Sequence, residues 1–476
     1  MTFTTILGIC TIVSLVMSAS FLAYVVAIIV PFVRDKPLPE GDPGPFFWHF
    51  VVPCRDEEAV IGGTVDYLRK TFPQAHVWVI DDDSDDATAA LVLERARRDE
   101  GVHLIQRRRP EARTGKGDAL NRAYRDLDAW MPGHVSRDRI VVCVVDADGR
   151  PSENLLRVCA GPDLYGDPRI AAVQVEVRMI NRHDRSPLDS GRRVVSRHRA
   201  GGSRRRRRGP WQRGRNLVAR TFVRMQDLEF RGPISAIQTA RRHSRTVNIG
   251  GNGQLTRLSA LDEIAGADKA PWRGSLLEDF ELGLHLLLAG WRNGYTTAAW
   301  VDQEAPWNLA RFLTQRARWA QGTMQCMRYL PRIWRSTKLG NLSVLEITYF
   351  LMQPWLQILG TLIYPLPILV FANNAFYYPE FMADYLRSGG AVAIALYLVV
   401  GTGEFTIWGF LYRSKCEAGA TRRQALGWGL SFTAYVFFTY VIAWKAFGRL
   451  VTGRSGWAKT RRNAETRSIG AVALDA

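Results

Sequence analysis

The chain is poor in cysteine, with six in 476 residues and no C-x-x-C pair. Scattered cysteines exclude a disulfide-stapled scaffold and argue against a zinc site, because both need thiols that lie close together. Cys54 and Cys143 lie in or beside apolar runs, which is typical of core residues. We therefore expect the soluble part of the chain to lie in a reducing compartment, the cytosol.

Charged residues are absent from residues 1–33, and long apolar runs return only from residue 342 onward. A signal peptide needs a basic residue before its apolar core, and none precedes Phe21, so an uncleaved anchor is favoured over a cleaved leader. The later apolar runs predict further membrane helices. They cover residues 342–372, 391–411 and 425–447. The sequence therefore predicts a multi-pass protein of the cell (plasma) membrane with a soluble domain framed by membrane segments.

Basic residues flank the last two apolar runs, at 413–415, 422–423 and 445–467. Positively charged flanks favour the cytosol, where the soluble domain is also predicted. Three single crossings by these runs cannot place both the basic flanks and the soluble domain in the cytosol. Either the first run crosses the membrane twice or the last run is re-entrant, and the sequence leaves both open.

Acidic residues are scarce between 182 and 220, where 14 arginines face only Asp184 and Asp189 in a chain of net charge +18. Five of these arginines are consecutive, at 204–208, and glycines flank them. Such a run is typical of a solvated loop near a membrane. Docking to anionic lipid headgroups is the next interpretation, and nucleic acid is the least favoured partner.

Apolar strands and amphipathic helices alternate through the middle of the chain. This alternation predicts an α/β fold with a mostly parallel sheet covered on both faces. Residues 246–267 are Gly-rich and are predicted to be irregular. The predicted strands are 47–53, 77–80, 102–105, 140–145 and 173–179. The predicted helices are 56–70, 84–98, 117–127, 217–230, 276–289 and 309–334, the last of them amphipathic and suited to a membrane interface.

Two acidic clusters follow predicted strands, at 81–82 and 146–148. Ligands of such sheets bind at the carboxyl ends of the strands, so both clusters are expected at one ligand edge. An EF-hand from Asp81 is excluded, because Asp86 and Val92 stand where that loop needs Gly and Glu. Asp81 or Asp82 is predicted to accept hydrogen bonds from a base or ribose; the alternative is an acidic helix N-terminus.

Asp146 and Asp148 lie on one side of the chain by strand alternation. Their oxygens suit Mg²⁺ or Mn²⁺, which also bridge phosphates, and the alternative is a plain strand-end turn. Lys116 precedes a predicted helix and is placed to contact a diphosphate. The loop around it is not a Walker loop, because Pro110 and Gly117 stand at positions that need Gly and Ser or Thr.

Glu278 and Asp279 begin a predicted helix, where Asp279 suits a general base and Glu278 would hold the loop or raise its basicity. The alternative is a simple N-terminal charge pair. Gln315, Arg318 and Trp319 lie on the amphipathic helix. Arg318 suits a departing diphosphate and Trp319 an acceptor sugar, whereas the alternative is an ordinary interfacial face.

In this order, the motifs VVPCRDEE, VIDDDSDDAT, GKGDALN, VVDADG, GGNGQLTR, LLEDFELGLHLLLAGWR and QRARW resemble the inverting family 2 glycosyltransferases with membrane spans. That group includes cellulose, chitin and hyaluronan synthases and bacterial glucosyl-diacylglycerol synthases. The resemblance covers about 47–322 and implies a GT-A fold and a UDP-sugar. It also implies uracil contact near Asp81, metal at Asp148 and base catalysis by Asp279. It further implies leaving-group and acceptor contacts at Gln315, Arg318 and Trp319.

Some positions depart from the family pattern. Leu277 stands where a Thr is usual, and the membrane part is shorter than in cellulose synthases, which puts a self-contained polymer channel in doubt. The predicted division is an N-terminal transmembrane anchor, a cytosolic GT-A domain with a basic insertion at about 183–215, an amphipathic interfacial helix, a C-terminal transmembrane region and a basic cytosolic tail. Their bounds are 1–34, 45–308, 309–340, 341–450 and 451–476.

The sequence thus predicts a metal-dependent inverting glycosyltransferase that uses Mg²⁺ or Mn²⁺ and a UDP-sugar, with glucose or N-acetylglucosamine as the sugar. The main expectation for the acceptor is a growing β-linked polysaccharide. The alternative acceptor is a lipid such as diacylglycerol. A rival from another class is an inactive nucleotide-sugar-binding membrane protein, against which the intact acidic residues argue.

Overall fold

The computed structural model of the chain describes residues 3–184 and 210–454. Most of the predicted basic insertion at about 183–215 lies outside these residues. The tail also lies outside them from residue 455 onward.

An eight-stranded sheet forms the centre of the soluble part, in the order β3-β2-β1-β4-β7-β6-β8-β5. β1 pairs in parallel with β2 and β4, and β3 continues this parallel half. β7 runs antiparallel to β4 and β6, and β5 runs antiparallel to β8. The strands are β1 Phe47–Cys54, β2 His76–Asp82, β3 Val102–Arg107, β4 Ile140–Val144, β5 Arg150–Pro151, β6 Ile170–Met179, β7 Gln254–Arg257 and β8 Arg292–Gln303.

Helices cover both faces of this sheet, as the apolar strands require. Phe50 on β1 packs into one layer with Ile61 and Leu68 of the first covering helix, and its neighbour Val51 packs into the opposite layer with Leu120. The helices up to residue 289 are α1 Phe3–Arg34, α2 Ile61–Thr71, α3 Thr88–Ala96, α4 Lys116–Trp130, α5 Leu155–Cys159, α6 Pro210–Glu229, α7 Ser235–Ser244, α8 Leu258–Ala265 and α9 Glu278–Ala289. A π-helical turn, Phe230–Ile234, joins α6 to α7.

The expectation of irregular structure at 246–267 is wrong, because this segment contains β7 and α8. β7 has only four residues, yet all four are buried between β4 and β6. Its strand conformation depends on partners distant in the sequence, which a short Gly-flanked segment does not reveal. β8 was not predicted either, since it carries polar residues and register irregularities along β6.

The remaining helices lie from residue 309 onward and include two of the three described stretches that are long and apolar enough to cross a membrane. We call them the membrane-directed helices. The predicted helix over 309–334 is divided by a 3₁₀ turn, Met327–Tyr329. The helices are α10 Leu309–Cys326, α11 Leu330–Trp334, α12 Asn341–Ile363, α13 Pro365–Tyr377, α14 Pro379–Tyr385, α15 Ala391–Cys416, α16 Arg422–Val436 and α17 Phe438–Val451. Within the described part of the chain, three helical stretches are long and apolar enough to cross a membrane, namely Thr5–Arg34, Asn341–Tyr377 and Arg422–Val451.

α10 lies between the soluble domain and these apolar helices. Its Phe312 is buried in one cluster with Val25 and Phe32 of α1 and Phe432 of α16. Its other end packs against the segment before α9, through Gly322. α10 therefore connects the sheet edge to the membrane-directed helices.

Candidate active site

Lys116, the first residue of α4, joins two carboxylate clusters that are far apart in the sequence. Its Nζ lies 3.3 Å from Asp146 Oδ1, 3.7 Å from Asp279 Oδ2 and 4.0 Å from Glu278 Oε1. Asp146 follows β4, whereas Glu278 and Asp279 begin α9. The side chains of Lys116 and Asp279 are 13% and 8% exposed, while that of Asp146 is 34% exposed. A ligand can therefore approach this cluster from the side of Asp146.

Reciprocal hydrogen bonds connect the start of α4 to the segment before α9. Asn121 Nδ2 donates to the Trp272 carbonyl at 2.9 Å, and the Trp272 N–H donates to Asn121 Oδ1 at 3.0 Å. A Cβ on Gly117 would lie 3.2 Å from the Arg273 carbonyl, so glycine allows this close packing. The contacts hold Lys116 beside the carboxylates of α9.

Gly251 forms the floor of the cluster. Its φ is +85°, which favours glycine, and a Cβ there would lie 2.2 Å from Asp279 Oδ2 and 3.1 Å from Lys116 Nζ. The next residue, Asn252, accepts the Asp146 N–H through Oδ1 at 3.2 Å. The loop that begins at Gly250 therefore fixes the distance between the two acidic clusters.

Burial and charge act in opposite directions on these groups. Burial raises the pKa of Asp279, and the Lys116 ammonium partly offsets this. Burial and then the charge of Asp279 raise the pKa of Glu278 to about 8. Burial alone would lower the pKa of Lys116, but the Asp146, Asp279 and Glu278 carboxylates outweigh burial and raise it. Asp279 Oδ1 is buried without a hydrogen-bond partner among the described residues, which leaves it available to accept a substrate proton.

The helix α10 brings Arg318 to the same place. A Cβ on Gly322 would lie 2.5 Å from Leu277 Cβ, so glycine allows α10 to contact the residue before Glu278. The Leu276 N–H donates to Gln325 Oε1 at 2.9 Å and fixes the register of this contact. Burial lowers the pKa of Arg318, and the nearby Glu278, Asp146 and Asp279 carboxylates act against this. Arg318 therefore stands within electrostatic reach of the acidic cluster.

The last described helix holds α10 along its length. Arg449 on α17 donates through Nε to Gln321 Oε1 at 2.8 Å, and Gln321 Nε2 donates to the Arg454 carbonyl at 2.9 Å. Lys445 Nζ donates to the Thr314 hydroxyl at 3.2 Å. The position of Arg318 thus depends on a helix near the C-terminal end.

Trp319 and Gln315 complete the predicted set on α10. Arg316, between them, pairs with Glu229 at 2.7 Å and places its guanidinium 4.4 Å from the centre of the Trp319 ring. Phe230 meets Trp319 edge-on, with ring centres 6.5 Å apart. Gln315 is half-buried. Trp319 is therefore held next to the π-helical turn, and its contact with an acceptor stays a prediction.

Asp81 and Asp82 end β2, at the sheet edge where they were predicted. Asp82 Oδ1 accepts from the Arg107 guanidinium and, at 3.1 Å, from the Arg113 N–H. Asp81 Oδ2 accepts from Arg108 Nη1 at 3.3 Å, and the Arg108 side chain is 57% exposed. Asp82 thus holds the loop before α4, whereas the fully buried Asp81 pairs with the exposed Arg108. Contact of either acid with a nucleotide stays a prediction.

Asp146 and Asp148 follow β4 and are two residues apart in the sequence. The Glu304 N–H donates to Asp148 Oδ2 at 3.2 Å, and the Thr64 hydroxyl donates to the intervening Ala147 carbonyl at 2.7 Å. No group of three or more His, Cys, Asp or Glu side chains among the described residues is arranged as a metal site. One or two carboxylates suit Mg²⁺ or Mn²⁺ when the substrate phosphates supply further oxygens, and the residues present fit that arrangement.

A sequence model of the family described as "Glycosyltransferase like family 2" matches residues 45–322, which is more than half of the chain. The chain belongs to this family. The sheet and its covering helices are those of the GT-A fold, as predicted.

Curated relatives of this family 2 glycosyltransferase include a β-monoglucosyldiacylglycerol synthase of Synechocystis sp. (strain ATCC 27184 / PCC 6803 / Kazusa). It is 25% identical over 436 residues, which cover 87% of this chain and 75% of the relative. The probable glycosyltransferase YdaM of Bacillus subtilis (strain 168) is 21% identical, over 88% of this chain and 87% of that protein. Lipid glycosylation is thus the named activity of the first of these relatives.

Among solved structures, a mannosyltransferase of Pyrobaculum calidifontis in complex with GDP-mannose and Mn²⁺ superposes with a TM-score of 0.54. It is 14% identical in sequence, and the match covers 94% of this chain and 99% of that chain. At this identity the likeness concerns the fold, which extends over the membrane-directed helices as well as the sheet.

Several residues that shape the site were not found from the sequence. Gly251 and Asn252 lie in a segment that was predicted to be irregular, within the motif GGNGQLTR, to which no role was assigned. Glu281 is fully buried and accepts the Ser275 N–H through Oε2 at 2.9 Å, so it holds the segment before α9. The sequence feature that could have indicated Glu281 is an acidic residue inside the apolar run of α9, because a buried carboxylate needs hydrogen-bond partners.

Replacing Lys116 by Met is expected to move the acidic limb of the pH–rate profile to higher pH. A base at Asp279 would act only when it is deprotonated, and Lys116 is the cation that lowers the pKa of Asp279. Without that charge, deprotonation needs a higher pH. The kcat/KM profile of the wild type and the variant measures the shift. The matched control is Lys269→Met, which removes a lysine that pairs with Asp128; an unchanged limb in Lys116→Met would refute the pairing.

Proposed function

We propose that this glycosyltransferase moves a sugar from a UDP-sugar to the hydroxyl of a diacylglycerol-type lipid, with inversion at the anomeric carbon. The observation that carries the proposal is the buried cluster in which Lys116 joins Asp146 to Asp279. It supplies a cation for a diphosphate and a carboxylate for an incoming hydroxyl at one sheet edge.

In the proposed reaction, Asp279 takes the proton of the acceptor hydroxyl. The hydroxyl oxygen forms a bond to the anomeric carbon, and the bond from that carbon to the diphosphate oxygen breaks. The electron pair leaves with the nucleotide diphosphate. Lys116 and Arg318 stabilise the negative charge that develops there, since cations held in a partly buried site act strongly on it.

A divalent cation held by Asp148 and Asp146 would neutralise further diphosphate charge when bound. Glu278, whose pKa is raised to about 8, supports Asp279 by keeping the negative charge beside it low near neutral pH. One proton shared between two adjacent buried carboxyl groups leaves one of them able to act as a base.

Two observations support the lipid as acceptor. The first is the named activity of the relative that aligns over most of this chain. The second is the position of α10, which joins the acidic cluster to a cluster containing Val25 and Phe432 from candidate membrane helices. A hydroxyl at the membrane surface can therefore reach the base while its acyl chains stay among apolar helices. The comparisons favour this lipid acceptor over the polysaccharide.

The test is a time course with purified protein, diacylglycerol and each radiolabelled UDP-sugar. We expect a chloroform-soluble product of one sugar per lipid, whose size does not grow as nucleotide sugar is consumed. The same assay with Trp319→Ala is expected to raise the diacylglycerol concentration needed for half-maximal rate, because we propose that Trp319 contacts the acceptor. Label in chains that lengthen with time would instead identify a polysaccharide synthase.

A further inference from the structure

A concave site outside the acidic cluster lies between α8, α9 and α11. Its volume is about 320 Å³, and its wall includes Arg273, His285, Tyr329 and Arg332. This volume is at the lower end of the range of small-molecule sites, roughly 300–1,000 Å³. It suits a phosphate group that carries a small organic part.

Positive charge dominates this cavity. Arg273 and Arg332 are exposed, and neither forms an ion pair with a carboxylate in the described part of the chain. Arg273 Nη2 donates to the Ile264 carbonyl at 2.9 Å, which orients its guanidinium. The one acid on the wall, Glu263, accepts from Trp291 Nε1 at 2.6 Å. The two guanidiniums are therefore available to an anion.

A neutral imidazole adds a hydrogen-bonding group to the two cations. His285 Nε2 is buried and has no hydrogen-bond partner within residues 3–184 and 210–454. Its ring packs edge-on against Tyr329, with ring centres 5.0 Å apart. The pKa of His285 is lowered to about 4, mainly by burial. The Arg332 and Arg273 charges also lower this pKa, whereas the Glu281 carboxylate raises it. At neutral pH the ring is neutral, and the tautomer that carries its proton on Nε2 can donate to a phosphate oxygen.

We propose that this cavity binds a phosphate group through Arg273, Arg332 and His285. The phosphate comes from a lipid headgroup such as phosphatidylglycerol or from a soluble phosphate ester. Trp334, two residues after Arg332, is 59% exposed, and the candidate membrane span that contains α12 begins at Asn341. This proximity places the cavity near the membrane surface, where headgroup phosphates are concentrated.

The cavity is connected to the segment that carries the proposed base. The Tyr329 hydroxyl donates to Glu281 Oε1 at 2.6 Å, and Glu281 Oε2 accepts the Ser275 N–H at 2.9 Å. Arg273 itself lies five residues before Glu278. A phosphate that bridges Arg273 and Arg332 fixes this segment, so occupancy is expected to increase turnover.

Binding is measured with the full chain, independently of activity. Native mass spectrometry of protein washed in neutral detergent counts retained phosphatidylglycerol, and ³¹P NMR line broadening reports sn-glycerol 3-phosphate and inorganic phosphate. We expect the double variant Arg273→Gln/Arg332→Gln to lose binding by roughly tenfold or more for each guanidinium, the usual scale for a charge-assisted hydrogen bond. Arg335→Gln, which removes an exposed arginine outside the cavity, is the matched control.

The outcomes are distinct. If the wild type retains phosphatidylglycerol and only the double variant loses it, the site binds a lipid headgroup. If the wild type binds the phosphate ester and only the double variant loses that binding, the ligand is soluble. The proposal is overturned if the wild type binds neither ligand, or if all three proteins show an equal, adventitious association. It is also overturned if Arg335→Gln loses binding as the double variant does. Tyr329→Phe should keep binding but lose the stimulation of turnover. That last readout rests on the proposed function, whereas the binding arms do not.

Discussion

Asp279→Asn is expected to lower the turnover number by ~10²–10⁴-fold while the UDP-sugar still binds, because loss of a general base has this magnitude. Asn keeps the size of the side chain, and its amide oxygen can stay beside Lys116, whose Nζ lies 3.7 Å from Asp279 Oδ2. The change keeps the shape of the side chain and removes its negative charge, and with that charge the ability to take the acceptor proton. Single-turnover kinetics give the chemical rate, and isothermal titration with the UDP-sugar gives the affinity.

The control for this experiment is Asp66→Asn, the same chemical change at an exposed residue that pairs with Arg95. It should keep full activity. If the affinity for the UDP-sugar falls in step with turnover in Asp279→Asn, then Asp279 binds the nucleotide sugar. In that case another group, with Glu278 the first candidate, is the base.

The parallel half of the sheet followed from the sequence because its information is local. β1, β2, β3 and β4 are apolar runs of ordinary strand length, and each is followed by a helix with its own periodicity. The acidic pairs at the ends of β2 and β4 could be assigned to one edge from chain direction alone. The sequence therefore predicted Asp146 at this edge, and the structure places Glu278 and Asp279 around the same lysine, Lys116.

The antiparallel half was not predictable in the same way. β7 is too short and too polar to be recognised, and its burial comes from β4 and β6 on either side. β8 is irregular in register and depends on β6. These strands are defined by pairing across long sequence distances, and single-sequence patterns do not contain that information.

The candidate site shows the same difference between local sequence patterns and long-range contacts. Spacing and residue type indicated Lys116, Asp279 and Arg318 but not the contacts among them. Lys116 meets Asp279 beside Gly251, which has a positive φ and no side chain, and Arg318 reaches the same cluster because Gly322 lets α10 approach Leu277. Such close approaches depend on tertiary packing, so they appear in the structure and not in the motif.

Asp148→Ala is expected to reduce transfer by at least about 10²-fold, the scale for removal of one electrostatic stabiliser of a transition state. Asp148 follows a strand whose five residues are all buried, and the Thr64 hydroxyl holds the Ala147 carbonyl at 2.7 Å, so its position is fixed. Its oxygens suit a divalent cation that neutralises the diphosphate. EDTA should have the same effect on the wild type, and Mn²⁺ or Mg²⁺ should reverse it.

Asp148→Asn separates this role from a structural one. Asp148 Oδ2 accepts the Glu304 N–H at 3.2 Å, and the amide oxygen of Asn can accept the same hydrogen bond. Asn lacks the negative charge that holds a cation, so a metal role predicts that Asn is as inactive as Ala at every Mn²⁺ concentration within solubility. A structural role predicts that Asn restores activity. Full wild-type activity in EDTA would exclude a metal at Asp148, and Lys116 and Arg318 would then be left to neutralise the departing diphosphate.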